Sequence, residues 1–286
     1  MKSLYRKYFF ILVLCFANSI IWPFYFNGAK NNELHVYFLD IGQGDSILIK
    51  APNGREMLID GGPDSSILPV LGKALGFFDR SIDVVLATHP DQDHIGGLPL
   101  VFDRYEVSKF IDSVADGTSN SYDALEEKAK EEGSDYFLGK RGMVVELDRD
   151  RGVYVHILYP NEDDFKIDET NELSIVAKLV YGDTSFMLTG DAGKTTEAFL
   201  VATDKEYLES TVLKAGHHGS KTSSSWSFVK AVNPKYAIIS AGADNRYGHP
   251  HKETIDTLND LGVEILSTYE EGTIEFVSNG VDVWQK

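Results

Sequence analysis

Two β-sheets packed face to face with helices on their outer faces, a four-layer αββα sandwich of the α/β class, is the fold this sequence predicts. Three observations carry that expectation. Two strand-rich stretches are each closed by helical patterns, the strands are short and rich in β-branched residues, and 286 residues that are 43% hydrophobic and 12% aromatic suffice to fill a large core. One domain is expected over residues 31–286, behind a separate segment at 1–30.

The N-terminal segment carries Lys2, Arg6, Lys7 and Lys30 and no acid, and residues 8–26 are apolar apart from Asn18, Ser19 and Pro23. It reads as a hydrophobic helix, either a cleaved secretory signal or an uncleaved anchor. The length of the apolar stretch and the weak cleavage site at 17–19 favour the anchor. Basic residues ahead of it predict a single-pass protein of the cell membrane with its domain outside the cytoplasm, or a secreted one if the segment is cleaved. Cys15 is the single cysteine, so no intramolecular disulfide forms.

Next, LHVYFLDI, DSILIKA and EMLID alternate in the manner of a strand meander, with PNG at 52–54 turning the chain between the last two. Residues 65–77 place Ile67, Leu68, Leu71 and Leu75 at helical spacing, IDVVLA is a buried strand, and a helix follows Gly97. The charged stretch 121–133 reads as a solvated helix. GMVVELD, VYVHILY, LSIVAKLVYG and TSFMLTG are further strands. Helices at 193–202, 222–231 and 252–261 then alternate with strands TVLKAG, KYAIISA and VEILS, before a closing hairpin of TIEFVS and VDVW.

The formal net charge is −17, and residues 31–286 alone hold 23 basic against 44 acidic residues, a net −21. Such a domain repels polyanions as a whole and excludes broad coating of nucleic acid, although cations bound in one cleft reverse the potential there.

Chemistry concentrates in THPDQDHIGG, where His89, Asp91, Asp93 and His94 follow the end of a strand. Imidazole nitrogens and carboxylate oxygens are the usual ligands of a hydrolytic divalent cation, and Pro90 biases His89 toward an extended backbone as the strand ends. Asp191 in FMLTGD, His217 and His218 in LKAGHHGS, and His249 in NRYGHPH stand at further strand ends. His35, His156 and His251 read as ordinary hydrogen-bonded histidines. DIGQGD at 40–45 is too short for a nucleotide fingerprint and is expected to pack below the centre or line the cleft.

HxDxDH at 89–94, LIDGG at 58–62, LTGD at 188–191 and GHHGS at 216–220 resemble the metallo-β-lactamase superfamily. FLDIGQGDSILI, NELSIVAKLVYGDTSFMLTGD, HHGSKTSSS and NRYGHPH resemble, more narrowly, the hydrolase domain of ComEC-type competence proteins. The resemblance implies a dinuclear metal site: His89 and Asp91 on the first ion, Asp93, His94 and His217 on the second, and Asp191 bridging. Asp93 would also orient the attacking water, Asp60 would support the loop behind the ligands, and His218 and His249 would serve as general acid or substrate contacts. The histidine that many members carry between the first motif and the bridging aspartate is missing here, and Asn171 stands nearest its place. An oxygen-rich first site favours Mn²⁺ beside or instead of Zn²⁺. Ser220, Lys221 and Arg246 are candidates to hold a phosphodiester, while residues 222–225 equally suit a helix N-cap.

Three functions follow from these readings. The first is a membrane-anchored metal-dependent phosphodiesterase, a DNase, with any DNA-uptake channel supplied by another chain. The second is a metallo-hydrolase of a small ester, lactone, thioester or β-lactam, which the acidic charge favours. The third is a non-catalytic binding protein with a vestigial site.

Overall fold

The structure, a computed structural model, describes residues 2–27, 32–76, 78–161 and 169–286. Fifteen strands form two sheets among these residues. The strands are β1 (Leu34–Phe38), β2 (Ile47–Lys50), β3 (Glu56–Ile59), β4 (Ser81–Leu86), β5 (Glu106–Asp112), β6 (Asp135–Leu138), β7 (Val144–Asp148), β8 (Val153–Tyr159), β9 (Val176–Tyr181), β10 (Thr184–Leu188), β11 (Val212–Lys214), β12 (Tyr236–Ile239), β13 (Glu264–Ser267), β14 (Ile274–Ser278) and β15 (Val283–Gln285). The first sheet runs β15-β14-β1-β2-β3-β4-β5-β6 and the second β13-β12-β11-β10-β9-β8-β7.

Side-chain alternation explains the layers. A strand with apolar residues at every position has two faces to bury, and these strands bury both. Ile47, Ile49, Met57, Ile59, Val84 and Leu86 point from the first sheet into a core shared with Ala177, Leu179, Phe186, Leu188 and Ile238 of the second. Leu48, Leu58 and Val85 point the other way, onto Ile67, Leu71, Leu98 and Leu125. Those last residues belong to the helices α2 (Ile67–Leu75), α4 (Leu98–Phe102) and α5 (Asn120–Glu132), α3 being the single turn Gln92–Ile95. On the far side Val176, Met187, Leu213 and Ala237 meet Leu200, Phe228 and Leu258. These lie on α6 (Lys194–Asp204), α7 (Trp226–Val232) and α8 (Lys252–Asp260). Each buried Leu, Ile or Phe contributes about 1.5–3 kcal/mol by leaving water. The chain therefore has the two sheets and the outer helices that its pattern predicts.

Several elements differ from expectation. The closing hairpin of β14 and β15 returns to the first sheet, where β14 pairs antiparallel with β1, so the second sheet is not closed by the chain's own end. Strands β5 and β6 carry little alternation, EVSKFID and DYFL, and escaped the pattern reading. The helix predicted over 65–77 ends at Leu75, before Gly76 with its positive φ, and residue 77 lies outside the described residues.

The N-terminal expectation is corrected. Lys2–Asn27 is helical (α1), but no helix among the described residues is long and apolar enough to cross a membrane. That overturns the single-pass anchor through residues 8–26, the extracytoplasmic placement tied to it, and the N-terminal hydrophobic helix as a membrane element. Where its side chains are described, the uncharged apolar run covers only 8–17, between Arg6–Lys7 and Asn18–Ser19. That run rises about 15 Å, half of an about 30 Å hydrocarbon core. Side chains from residue 20 and the expected boundary at 30/31 lie outside the described part.

What matters for function is where strands end. β3, β4, β5 and β6 are mutually parallel, as are β10, β11, β12 and β13. Chain segments leaving β3, β4, β10, β11 and β12 carry Asp60, His89, Asp191, His217 and Ser240, and loops at the carboxyl ends of parallel strands are where α/β folds gather their chemistry.

Candidate metal centre

The chain leaves β4 through Thr88 and His89 and enters α3 at its N-cap, Asp91. Asp91 makes no side-chain cap bond. Its carboxylate instead accepts from Thr170 Oγ1 at 2.8 Å, so the run is not an ordinary helix cap. His89 and His94 are fully buried, with ring centroids 4.1 Å apart. Behind them, Asp60 accepts from His94 Nδ1 at 2.8 Å, from Thr88 N at 2.8 Å and from Thr88 Oγ1 at 2.7 Å. The contact to Nδ1 leaves His94 Nε2 facing the centre. A carboxylate in that role fixes a ligand's tautomer and ring angle.

Asp191 occupies the middle. It follows β10 after Gly190, whose φ of +51° lets the backbone turn sharply against Thr88. Oδ1 lies 3.3 Å from His94 Nε2, and Oδ2 lies 3.4 Å from His218 Nε2, 3.6 Å from His217 Nε2 and 4.0 Å from His89 Nε2. His217 and His218 both take left-handed backbones, φ 48° and 55°, at a cost of about 1–3 kcal/mol each. The two rings stand nearly perpendicular, 81° apart, and both present Nε2 to the same Asp191 oxygen. His218 is buried, with Nδ1 3.0 Å from Ser240 O and Nε2 3.3 Å from Asp93 Oδ2. His217 remains 28% exposed.

Electrostatics follow from this crowding. Burial opposes charge on His218, but Asp191 and Asp45 outweigh it and raise its pKa to about 9. Burial also opposes charge on His94, yet Asp191 and Asp60 hold it well above the usual range. Burial and the neighbouring His94 press His89 down to about 3. Asp191 sits well below the usual carboxylate range because His218 and His94 overcome its burial. Asp93 is lowered in the same way, its burial outweighed by His218 and His94. Burial first, then the neighbouring His218 and His217, take His249 down to about 4.

The group fits a divalent cation. His89 Nε2, His94 Nε2, His218 Nε2 and Asp191 Oδ1 are buried without a hydrogen-bond partner among the described residues. All converge on the Asp191 carboxylate, and each such orphan costs about 1–3 kcal/mol unless something satisfies it. Asp45, His94, Asp191 and His218 offer ligand atoms within 4.8 Å of one another. Nitrogen and carboxylate oxygen are suitable donors for zinc or manganese.

Sequence-derived candidates distribute unevenly. His89, Asp93, His94 and Asp191 come together, and Asp91 borders them, its Oδ2 3.8 Å from His89 Nε2. His218, expected as an acid, belongs to the buried metal-capable group, and His217, expected as a ligand, has its Nε2 3.6 Å from Asp191 Oδ2 on the more exposed side. His249 stands beside both, 5.4 Å and 6.1 Å between ring centroids. Ser220 is buried and bonded to Thr222 and Thr254, so its hydroxyl serves the turn. Lys221 is exposed, and so is Arg246, stacked 4.9 Å over Tyr247 and donating to its hydroxyl. Ser225 is the α7 N-cap, accepting from Phe228 N. Asn171 begins a short 3₁₀ turn next to Thr170, and its Oδ1 is buried without a partner among the described residues. His35 and His156 lie away from this group, His35 bonding Glu275 and His156 packing on Tyr207, whereas His251, the α8 N-cap, packs 4.9 Å from the His249 ring and accepts from Lys221 N.

Lys214 escaped the sequence reading, and Asp45 was anticipated only as part of the 40–45 turn expected below the centre, not as a group facing its histidines. Asp45 reaches the centre because its loop passes beneath Asp93, whose carbonyl accepts from Asp45 N at 3.2 Å. A Cβ at Gly44 would stand 2.0 Å from that carbonyl oxygen, so only glycine permits the crossing. Lys214 is fully buried at the end of β11. A lone cation in the apolar run TVLKAG was the available signal.

With the geometry established, comparison with known proteins defines the class. The metallo-β-lactamase superfamily matches residues 39–243, and the chain belongs to it, with a hydrolase fold and a site suited to divalent metal. The chain is 32% identical over 278 residues to ComE operon protein 3 of Bacillus subtilis (strain 168), covering 90% of this chain and 35% of that protein. It is likewise 32% identical over 252 residues to Competence protein ComA of Neisseria gonorrhoeae, covering 87% and 33%. It thus spans about a third of the length of these curated relatives, in keeping with the ComEC-type resemblance. Among solved structures, CmlA, a diiron β-hydroxylase from Streptomyces venezuelae, superposes with a TM-score of 0.55 at 13% identity, covering 89% of this chain and 54% of CmlA. That likeness concerns the fold alone.

Proposed function

We propose that this chain is a metal-dependent phosphodiesterase acting on DNA through two divalent cations. The observation that carries the reading is the set of partnerless buried imidazole nitrogens gathered around Asp191, in a chain similar to proteins named for competence. His94, His218, Asp93 and Asp191 would hold one cation. His89, Asp91 and Asp191 would hold the other, with Asn171 Oδ1 completing it. When bound, the pair supplies Lewis acidity toward a phosphoryl oxygen and acidifies a water. Manganese suits the oxygen-rich half, zinc the imidazole-rich half.

This chain's own groups then divide the work. As water attacks phosphorus and the bond to the leaving oxygen breaks, Asp93 takes the water's proton and hands it on to the leaving oxygen, beside His217 on the open side. His249 hydrogen-bonds the substrate beside it. Lys221 and Arg246 offset the charge of the incoming backbone. Full-length protein with Mn²⁺ or Zn²⁺ should cut DNA, and Asp93→Ala should abolish the cutting; no cleavage of single- or double-stranded DNA with either metal overturns the reading.

The acidic charge favours a second reading, hydrolysis of a small neutral ester or lactone, which carries no electrostatic penalty. Salt separates the two, because DNA cleavage weakens steeply as salt rises and neutral-ester turnover hardly changes.

A further inference from the structure

Lys214 is the unusual group of this centre. Its ammonium, fully buried, pairs with Asp45 Oδ2, donates to Gly190 O at 3.2 Å, and lies 3.9 Å from Asp191 Oδ1. That last oxygen is the one facing His94 Nε2. A lysine ammonium and a divalent cation therefore stand in line for the same carboxylate oxygen.

Asp45 is metal-capable by proximity, but its contacts lie on the wrong edges of the imidazoles for a ligand. It addresses the Nδ1 edges, 3.3 Å from His218 and 4.0 Å from His94. Asp191 addresses the Nε2 edges of the same two rings. The two carboxylates thus address different edges of the histidine pair although ligand-capable atoms of the two lie within 4.8 Å of each other, and one of Asp45's oxygens already carries the ammonium.

We propose that Asp45 is a leash on Lys214: it holds the ammonium on the Nδ1 side of the histidines, so that Asp191 stays free for the divalent cation. Both are positioning residues, and the inference rests on reading the Asp191 centre as a cation site. An ammonium stripped of its counter-ion in a buried site is strongly disfavoured and takes the nearest carboxylate. Here that carboxylate is Asp191. Losing Asp45 thus places a competing cation on Asp191 as well as subtracting a negative charge.

The test is calorimetric titration of metal-free full-length protein with Mn²⁺ alone, so the readout is independent of any substrate. Asp45→Asn should weaken binding by about tenfold or more, the range typical of losing a group that orients ligands. Asp45→Asn combined with Lys214→Met keeps the pair electrically neutral and removes the competitor, and should return the affinity to within about threefold of wild type. Lys214→Gln alone, which needs no change at Asp45, should bind Mn²⁺ at least as tightly as wild type. Wild-type affinity in Asp45→Asn overturns the leash, and so does a double variant as weak as the single one, which would make Asp45 a ligand. Weakened binding in Lys214→Gln overturns it too. A wild-type protein that takes up no Mn²⁺ removes the centre itself and the leash with it, whereas the other failures leave the centre standing.

Discussion

The floor of this centre and its rim are built on opposite principles. On the floor, Asp45, Asp60, His94 and Lys214 are fully buried and linked by short polar contacts, each side chain held by at least one other. On the rim, Lys221 and Arg246 are exposed, Asp91 is 40% exposed and His217 28%. Burial without solvent screening makes each floor contact strong and each vacancy costly; rim groups keep water as an alternative partner. The floor therefore fixes where a cation sits, and the rim decides what reaches it.

The largest effect concerns the support of the rim. Glu197, on α6, accepts from Ser224 N at 2.5 Å and Ser225 N at 2.8 Å, tying down the loop that follows the paired histidines. Burial raises its pKa from an ordinary 4.5 to about 7 despite those donors. The folded protein binds the extra proton between those values, so this contribution is full below about pH 4.5 and is lost as the pH rises through 7. Thermal or urea unfolding should show a loss on the order of 3 kcal/mol across that window, and Glu197→Gln should flatten it. An unchanged slope in the variant would place the proton elsewhere.

On the floor, Asp60→Asn should weaken Mn²⁺ binding about 10–100-fold with little change in substrate KM, because the carboxylate acts through His94. Equal affinity in the variant would mean that His94 needs no support from behind.

At the rim, Lys221→Ala with Arg246→Ala should raise KM for DNA severalfold, leave Mn²⁺ affinity unchanged and reduce the salt slope of binding by about two. A fall in metal affinity would erase the division between the two regions.

The same contrast governs how much could be read from the chain. Strands such as β4 and β12 announce themselves by apolar runs, and the motif at 89–94 holds its ligands within two turns of backbone. Asp60, within LIDGG, was also readable as support behind them. Of Asp45 only the neighbourhood was readable, a turn expected below the centre, whereas its contacts with the histidines and Lys214 depend on the loop from β1 crossing beneath Asp93, between segments far apart in sequence. Nor could sequence separate His217 from His218. Both adopt left-handed backbones there, so what each ring meets is set by the loop's course, which no side-chain pattern encodes. The N-terminal helix shows the opposite failure, since apolar composition suggested a membrane crossing that no described helix is long and apolar enough to make.

Anomalous diffraction at the manganese edge, from crystals of the full chain soaked in Mn²⁺, tests the central claim most directly. The account predicts a peak about 2.0–2.3 Å from the Asp191 carboxylate, between His94 Nε2 and His218 Nε2, and its loss in Asp191→Asn. A peak confined to other residues, or none in a protein that still cuts DNA, would contradict it.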